Sequence, residues 1–394
     1  MSEPAARTVR IVPHIGEIDP AAWDQCAVPD PATLNPFVLH GFLKALEDAG
    51  TVGGRTGWAP QHLVLEGADG TVEAAAPAYI KSHSQGEYVF DHGWAEAYQR
   101  AGGDYYPKLQ LAVPFTPVPG PRLLVPACAD ADLRERLLAA AAIELARQRG
   151  LSSVHATFVG EQPWQRLAEH GYLQRTHQQF HWANQDYQTF DDFLAALSSR
   201  KRKMIRKERE TALADGLVIE HRTGRDITEA HWDAFYAFYT DTGSRKWGRP
   251  YLNRQFFSLL GAAMADRCLL VIVLRAGQPI AGALNLIGGD CLYGRYWGAI
   301  ELHPCLHFEV CYYQAIDYAI RHKLARVEAG AQGEHKLARG YLPSATYSLH
   351  WIADPGFRRA VDRYLKEERA HAAEQRDMLA EFAPFRKVVA AEDA

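Results

Sequence analysis

Five polar side chains crowd one short stretch of the chain: Glu328, Gln332, Glu334, His335 and Lys336, spaced by Gly330 and Gly333. Val327 closes an apolar strand just before them, and the two glycines let the backbone turn tightly. Carboxylates, an imidazole and an amine at the C-terminal end of a strand suit proton transfer and the holding of a polar ligand. The plainer reading is a helix N-terminus, with Glu334 favouring the dipole and Lys336 solvated. His350, beside Trp351 on the following strand, could face this turn. An equivalent His181-Trp182 earlier in the chain leaves a duplicated structural role equally open.

Three other groups could bind rather than react. Asp91, Trp94, Tyr105, Tyr106, Lys108, Thr116 and Arg122 fall in an aromatic, Gly- and Pro-rich stretch from Ser82 to Pro121 and just beyond. Rings with interspersed charge suit a substrate groove, and Lys108 and Arg122 could hold a phosphate or carboxylate. The alternative is an ordered aromatic loop. Glu309 and Tyr312 share a helical face and read as pocket-lining groups, or as a dipole-stabilising acid and a core tyrosine. The run Arg200–Arg209 carries seven basic residues and one acid. There, Arg202, Lys203 and Arg206 could receive an anionic ligand or RNA phosphates, or form a solvated face. A further aromatic–basic turn spans Arg245–Tyr251. His303, His307 and Glu309 do not make a metal set: Pro304 fits only a helix start, and no further ligand sits at a recognisable spacing.

The elements that must position these groups are duplicated. Ile143, Ala146, Val154 and Ala156 recur at a constant offset as Ile316, Ala319, Val327 and Ala329. Each copy then reaches a Gly-Tyr-Leu (Gly171–Leu173, Gly340–Leu342) and a His-Trp. The duplicated unit is helix–strand–helix–strand. Ahead of each copy lie strands in antiparallel pairs: His62–Glu66 with Ala74–Lys81, and Cys268–Arg275 with Ile280–Ile287. The spacing predicts helices over Asn35–Ala49, Asp132–Arg149, Asp191–Ala214, Thr228–Tyr239, Arg254–Ala265 and Gly356–Glu381.

At 394 residues, 47% hydrophobic and 23% charged, the chain is long enough for about two domains of ordinary globular composition. A net charge of -4 argues against a generic nucleic-acid or membrane binder. Six cysteines without a CxxC pair read as reduced thiols of a cytoplasmic protein. No apolar run approaches a membrane span, and the N-terminal segment lacks the basic and apolar regions of a signal peptide.

Several stretches carry a family resemblance: Gly86–Asp91, Tyr105–Leu109, Pro114–Pro117, Arg295–Gly298, Leu306–Glu309, Cys311–Gln314, and Gly330–Lys336 ahead of Arg339-Gly340-Tyr341. Through them the chain resembles the FemAB-like, peptidoglycan-biosynthesis-related N-acyltransferases, tandem pairs of the GNAT acyltransferase fold. The resemblance implies an α/β chain with mixed α+β sheets: a GNAT-like domain over 1–187, a basic bridging helix over 188–216, a second GNAT-like domain over 217–355, and a C-terminal helix and tail over 356–394. It implies acyl transfer to a small-molecule or peptide amine, with Glu334, His335 or Glu328 as the base. Arg295, Gln332, Lys336 and His350 join the substrate-binding set on the same ground. No permanently bound cofactor is expected; the co-substrate is acyl-CoA or aminoacyl-tRNA, so tRNA is a possible partner. The Arg/Gln-x-x-Gly-x-Gly/Ala pyrophosphate loop of single-domain GNAT enzymes is intact in neither half. A non-catalytic tandem that binds a peptide or wall precursor is the third reading.

Overall fold

The computed structural model of the protein describes residues 7–246, 250–331 and 333–386. In chain order the N-terminal part forms β1 (Thr8–Val12), α1 (Pro20–Ala27), α2 (His40–Asp48), β2 (Trp58–Pro60), β3 (His62–Glu66), β4 (Val72–Ala76) and β5 (Ala78–Lys81). There follow α3 (His92–Arg100), β6 (Lys108–Leu111), α4 (Ala131–Gln148), β7 (Ser153–Val159), α5 (Glu161–Leu167) and β8 (Leu173–Ala183). The second part forms α6 (Phe190–Ala196), α7 (Ser199–Ala212), β9 (Val218–Thr223), α8 (Glu229–Lys246), α9 (Arg254–Met264), β10 (Cys268–Arg275), β11 (Gln278–Ile287) and β12 (Cys291–Ala299). It closes with α10 (Leu306–Phe308), α11 (Gln314–Arg321), β13 (Arg326–Glu328), β14 (Leu342–Ile352) and α12 (Pro355–Glu381).

Two compact units result, and neither is a continuous piece of chain. Unit 1 takes Met1–His177, Pro250–Arg267 and Ala345–Ala373; unit 2 takes Gln178–Arg249, Cys268–Ser344 and Glu374–Ala394. The boundaries expected at 187, 216 and 355 cut the chain more simply. Helix α9, which the sequence places among second-half elements, packs in unit 1. Phe256 meets the edge of Phe42, and Asn253 donates to the Ala49 carbonyl at 2.7 Å.

In unit 1 the strand order is β2-β5-β6-β7-β14, with β1-β3-β4 as a separate small sheet. Strand β6 runs parallel to β7, and α4 lays its Leu138, Ala142 and Ala146 face on the core. Gly150, in the left-handed region at φ 63°, ends that helix as a glycine in this position commonly does. In unit 2 the order is β8-β13-β12-β11-β10-β9. Ala276 and Gly277, both at positive φ, make a two-residue turn that joins β10 to β11. Helix α8 packs on β11 and β12, where Gly282 and Gly298 clear room for Phe235 and Phe238.

The repeat strands are exchanged. β7 of the first copy pairs with β14 of the second, with His155 opposite His350. β13 of the second copy pairs with β8 of the first, with Glu328 opposite His181. Each unit's sheet is completed by a strand from the other half of the sequence.

The single helix expected over Asp191–Ala214 is two helices. Leu197 is extended at ψ 156° and bridges Phe385, and the Ser198 amide donates to the Pro384 carbonyl. Thr189 and Asp192 close a capping box at the start of α6.

Candidate functional site

The site of unit 2 begins with a parting of strands. β12 and β13 pair in parallel only from Cys291–Arg326 to Tyr293–Glu328. Beyond that point they diverge, and Gly294 stands where a Cβ would approach the Glu328 carbonyl to 3.5 Å. On its other side β12 slips register against β11: Leu284 faces Tyr296 and Asn285 faces Gly294, so Arg295 is the extra residue of a bulge. The gap is a cleft of about 100 Å³ lined by Asn285, Arg295, Trp297, His307, Cys311 and Tyr312, among others. Residues Glu309–Tyr313 take a π-helical turn between α10 and α11, which carries Cys311 and Tyr312 into the lining.

The Gly330–Lys336 turn meets this cleft at His335. His335, exposed on the 3₁₀ segment Glu334–Arg339, has its Nε2 2.9 Å from the Tyr312 hydroxyl. Its ring lies against those of Phe308 and His307. Arg339 stacks its guanidinium over Phe308 at 3.5 Å and forks onto Glu208, so the segment is anchored at its far end. Lys336, expected to bind substrate, is instead buried and donates to the Gly330 carbonyl at 2.9 Å. That bond links the two ends of the turn. Burial lowers its pKa to about 8, partly offset by nearby Cys311. Glu334 is exposed and lines no part of the cleft. Gln332 lies outside the described residues, as do Trp247, Gly248 and Arg249 of the aromatic–basic turn.

Glu328 is fully enclosed beside His181 and Arg326, not in the cleft lining. Its Oε1 is 3.3 Å from Arg326 Nε and its Oε2 is 3.9 Å from His181 Nε2. Burial pushes its pKa up to about 7 against the pull of Arg326, while burial drives His181 down to about 3. Glu309, expected to line a pocket, is fully buried and held by Arg209 at 3.1 Å through both Nε and Nη2, and by Gln314 at 2.7 Å. The basic helix α7 thus turns Arg209 inward, while Lys203 and Arg206 stay exposed, Arg206 in a loose 3.3 Å pair with Asp191; Arg202 is half-buried.

The aromatic–charged stretch of unit 1 forms an internal network in place of an open groove. Lys108, with no exposed surface, donates to Ser84 at 2.8 Å, to Glu87 at 2.7 Å and to Asp91. Its charge is therefore neutralised from within, which removes it as an anchor for an external anion. Tyr105 donates to Asp91 at 2.6 Å, and Tyr106 shares a 2.7 Å hydrogen bond with Ser84. Burial raises the Glu87 pKa to about 7; at Asp91 burial also pushes upward, but Lys108, His155 and Ser84 together hold that carboxyl below its usual range. Lys81, its ammonium 3.6 Å above the Trp58 ring, is lowered to about 7 by burial. Arg122 and Thr116 are buried and serve the backbone: Arg122 donates to Val118 at 2.6 Å, Thr116 to Pro114 at 2.9 Å.

His350 does not face the turn. The strand exchange places it in unit 1, its Nδ1 2.6 Å from that of His155, with the edge of Trp94 against it. Of the residues expected to act together, Arg295 and Tyr312 line one cleft, and His335 reaches it through the Tyr312 hydroxyl. Asn285, His307 and Cys311 were missed as lining; a lone Asn inside the apolar strand Ile280–Ile287 was the available signal for the first.

Among the described residues no group of His, Cys, Asp or Glu could hold a metal ion, and no helix is long and apolar enough to cross a membrane. A family model described as FemAB-like, peptidoglycan biosynthesis/recognition, matches residues 14–387. No curated protein matches the sequence significantly. Among solved structures the chain is similar to FemX, with a TM-score of 0.54 at 12% identity over 88% of this chain and 98% of that one. It is also similar to L-PGS from Bacillus licheniformis, with a TM-score of 0.51 at 10% identity over 84% and 98%. A third likeness is to the C-terminal domain (DUF2156) of a putative lysylphosphatidylglycerol synthetase from Agrobacterium fabrum, at 0.53 and 8% over 86% and 95%. At such identities the likeness is one of fold alone, that of a mixed α/β chain.

Proposed function

Because the chain belongs to the FemAB-like family, we propose that it transfers an activated acyl or aminoacyl group onto an amine, with the unit 2 cleft as the reacting site. The observation that carries this reading is the cleft between diverging strands, with the Tyr312–His335 hydrogen bond at its margin. In the proposed step the neutral amine nitrogen attacks the carbonyl carbon of the donor. A C–N bond forms, the C–S bond of a thioester or the C–O bond of an aminoacyl ester breaks, and the leaving sulfur or oxygen takes a proton. His335 removes the ammonium proton, with the Tyr312 hydroxyl fixing its ring. Arg295, set at the cleft by the bulge, and backbone amides of β11 near Leu284–Ile287 hold the developing oxyanion.

The donor is either acyl-CoA or an aminoacyl-tRNA. The exposed cations on α7, Lys203 and Arg206 among them, favour the second, because a polyanionic donor would be drawn to them. The acceptor that fits the family's description is a peptide or cell-wall precursor amine. Incubating the full chain with labelled acyl-CoA or charged tRNA and an amine-bearing muropeptide tests the reading. Label transfer lost in His335→Ala supports it; unchanged transfer in that variant, or tight muropeptide binding with no transfer from any donor, overturns it.

A further inference from the structure

A second cleft lies in unit 1, lined on one side by α12 and on the other by the start of β8. Its volume is about 360 Å³, and Arg358, Arg359, Lys366 and Arg369 line it together with a single acid, Asp362. Asp362 is taken up by Lys366 at 2.8 Å, and Arg369 is fixed by donating to the Gln174 carbonyl. Arg358 and Arg359 have no ion-pair partner among the described residues. Both follow directly on a helix start whose first turn holds no acid, where cations are disfavoured by the dipole. Asp354, just ahead of the helix, caps the Phe357 amide at 2.6 Å. A local choice that opposes helix stability, placed at a concave surface, is what a binding site looks like.

The shape narrows the ligand. From Arg358 to Arg369 the helix advances about 16 Å, more than one phosphate requires. The aromatic residue in the lining, Tyr172, is buried with its hydroxyl on the Ala139 carbonyl, so no ring is presented for a nucleobase to stack on. We propose that this cleft binds a diphosphate group, free or carried by a nucleotide, through Arg358 and Arg359. Paired guanidinium groups fork onto phosphate oxygens and need no counter-ion from the protein. The inference stands apart from the transfer reaction, since it concerns binding alone.

Calorimetric titration of the full chain with inorganic pyrophosphate and with ADP, at matched ionic strength and with sulfate as reference, tests it. Saturable binding of pyrophosphate is expected. Tighter binding of ADP assigns the site to a nucleotide, and equal binding assigns it to the free diphosphate. The double variant Arg358→Ala/Arg359→Ala should bind about tenfold more weakly or worse. An Arg136→Ala variant on α4, exposed and outside the lining of both clefts, should bind as before. The proposal falls if the α12 variant binds unchanged, if sulfate binds equally well, or if the α12 cations take up an RNA oligonucleotide that pyrophosphate does not displace.

Discussion

The Nδ1 atoms of His155 and His350 lie 2.6 Å apart in the interior of unit 1, so one must donate and the other accept. Burial keeps both imidazoles neutral, so the two tautomers are complementary. Burial is the main cause that lowers both pKa values, to about 3 for His155 and well below the usual range for His350. The unfolded chain takes up a proton near pH 6.5 while the folded pair refuses it. Stability is thus intact above that pH and declines as the pH drops towards 3. The expected slope is about 1.4 kcal/mol per pH unit for each histidine. Glu87, already inclined to protonate, works in the opposite direction, so the comparison is made with His350→Gln. That variant should lose stability less steeply between pH 6.5 and 4.5 in denaturant titrations; parallel curves would refute the assignment.

His335 and Tyr312 should separate activity from stability. His335 is exposed, so replacing it with Ala should change unfolding free energy by no more than about 0.5 kcal/mol. Transfer should fall by about 100-fold or more, the ordinary worth of a general base. Tyr312→Phe keeps the buried ring and loses only the hydroxyl, so its rate should fall less. Steady-state kinetics beside thermal melts decide the point, and a large melting shift in His335→Ala would argue for a structural role.

Glu309 depends on Arg209. Arg209→Met would leave a carboxylate with no exposed surface facing only Gln314, at a cost of about 3–5 kcal/mol. Adding Glu309→Gln should recover most of that loss, as urea denaturation would measure. A double variant as unstable as the single one would mean that packing, and not the stranded charge, sets the cost.

Gly298 permits the close approach of α8 to β12. A Cβ there would sit 2.1 Å from the Phe238 carbonyl oxygen, which backbone cannot relieve by rotating a side chain. Gly298→Ala should destabilise by about 1–3 kcal/mol or more. Gly93→Ala, exposed on α3 with nothing within 4 Å, should be neutral or slightly stabilising and serves as its control.

Local pattern made most elements legible. Ala142 and Ala146 mark the buried face of α4, and Ala276-Gly277 marks the hairpin. What the pattern could not carry is pairing across long separations. Next to Leu197 the sequence offers only Ser198, a helix-start residue; the residues that pair across the break, Phe385 and Pro384, lie far along the chain. Glu309 looked like pocket lining because its partner, Arg209, is 100 residues away. The π-helical turn that exposes Tyr312 is invisible to a 3.6-residue period. His350 was misplaced because a repeat reveals that two strands exist, not which neighbour each will choose.

The exchanged strands set an order for synthesis. β7 emerges from the ribosome early, yet its partner β14 ends only at Ile352. Unit 1 must therefore wait, with one flank of β7 unpaired, until nearly the whole chain has been made. Piecewise folding during translation, the usual safeguard of long chains, is closed to it. An unpaired apolar strand held open that long is a target for holding chaperones and for mispairing between nascent copies. Synonymous changes that slow translation between β7 and β14 should accordingly lower the soluble yield without altering a single residue.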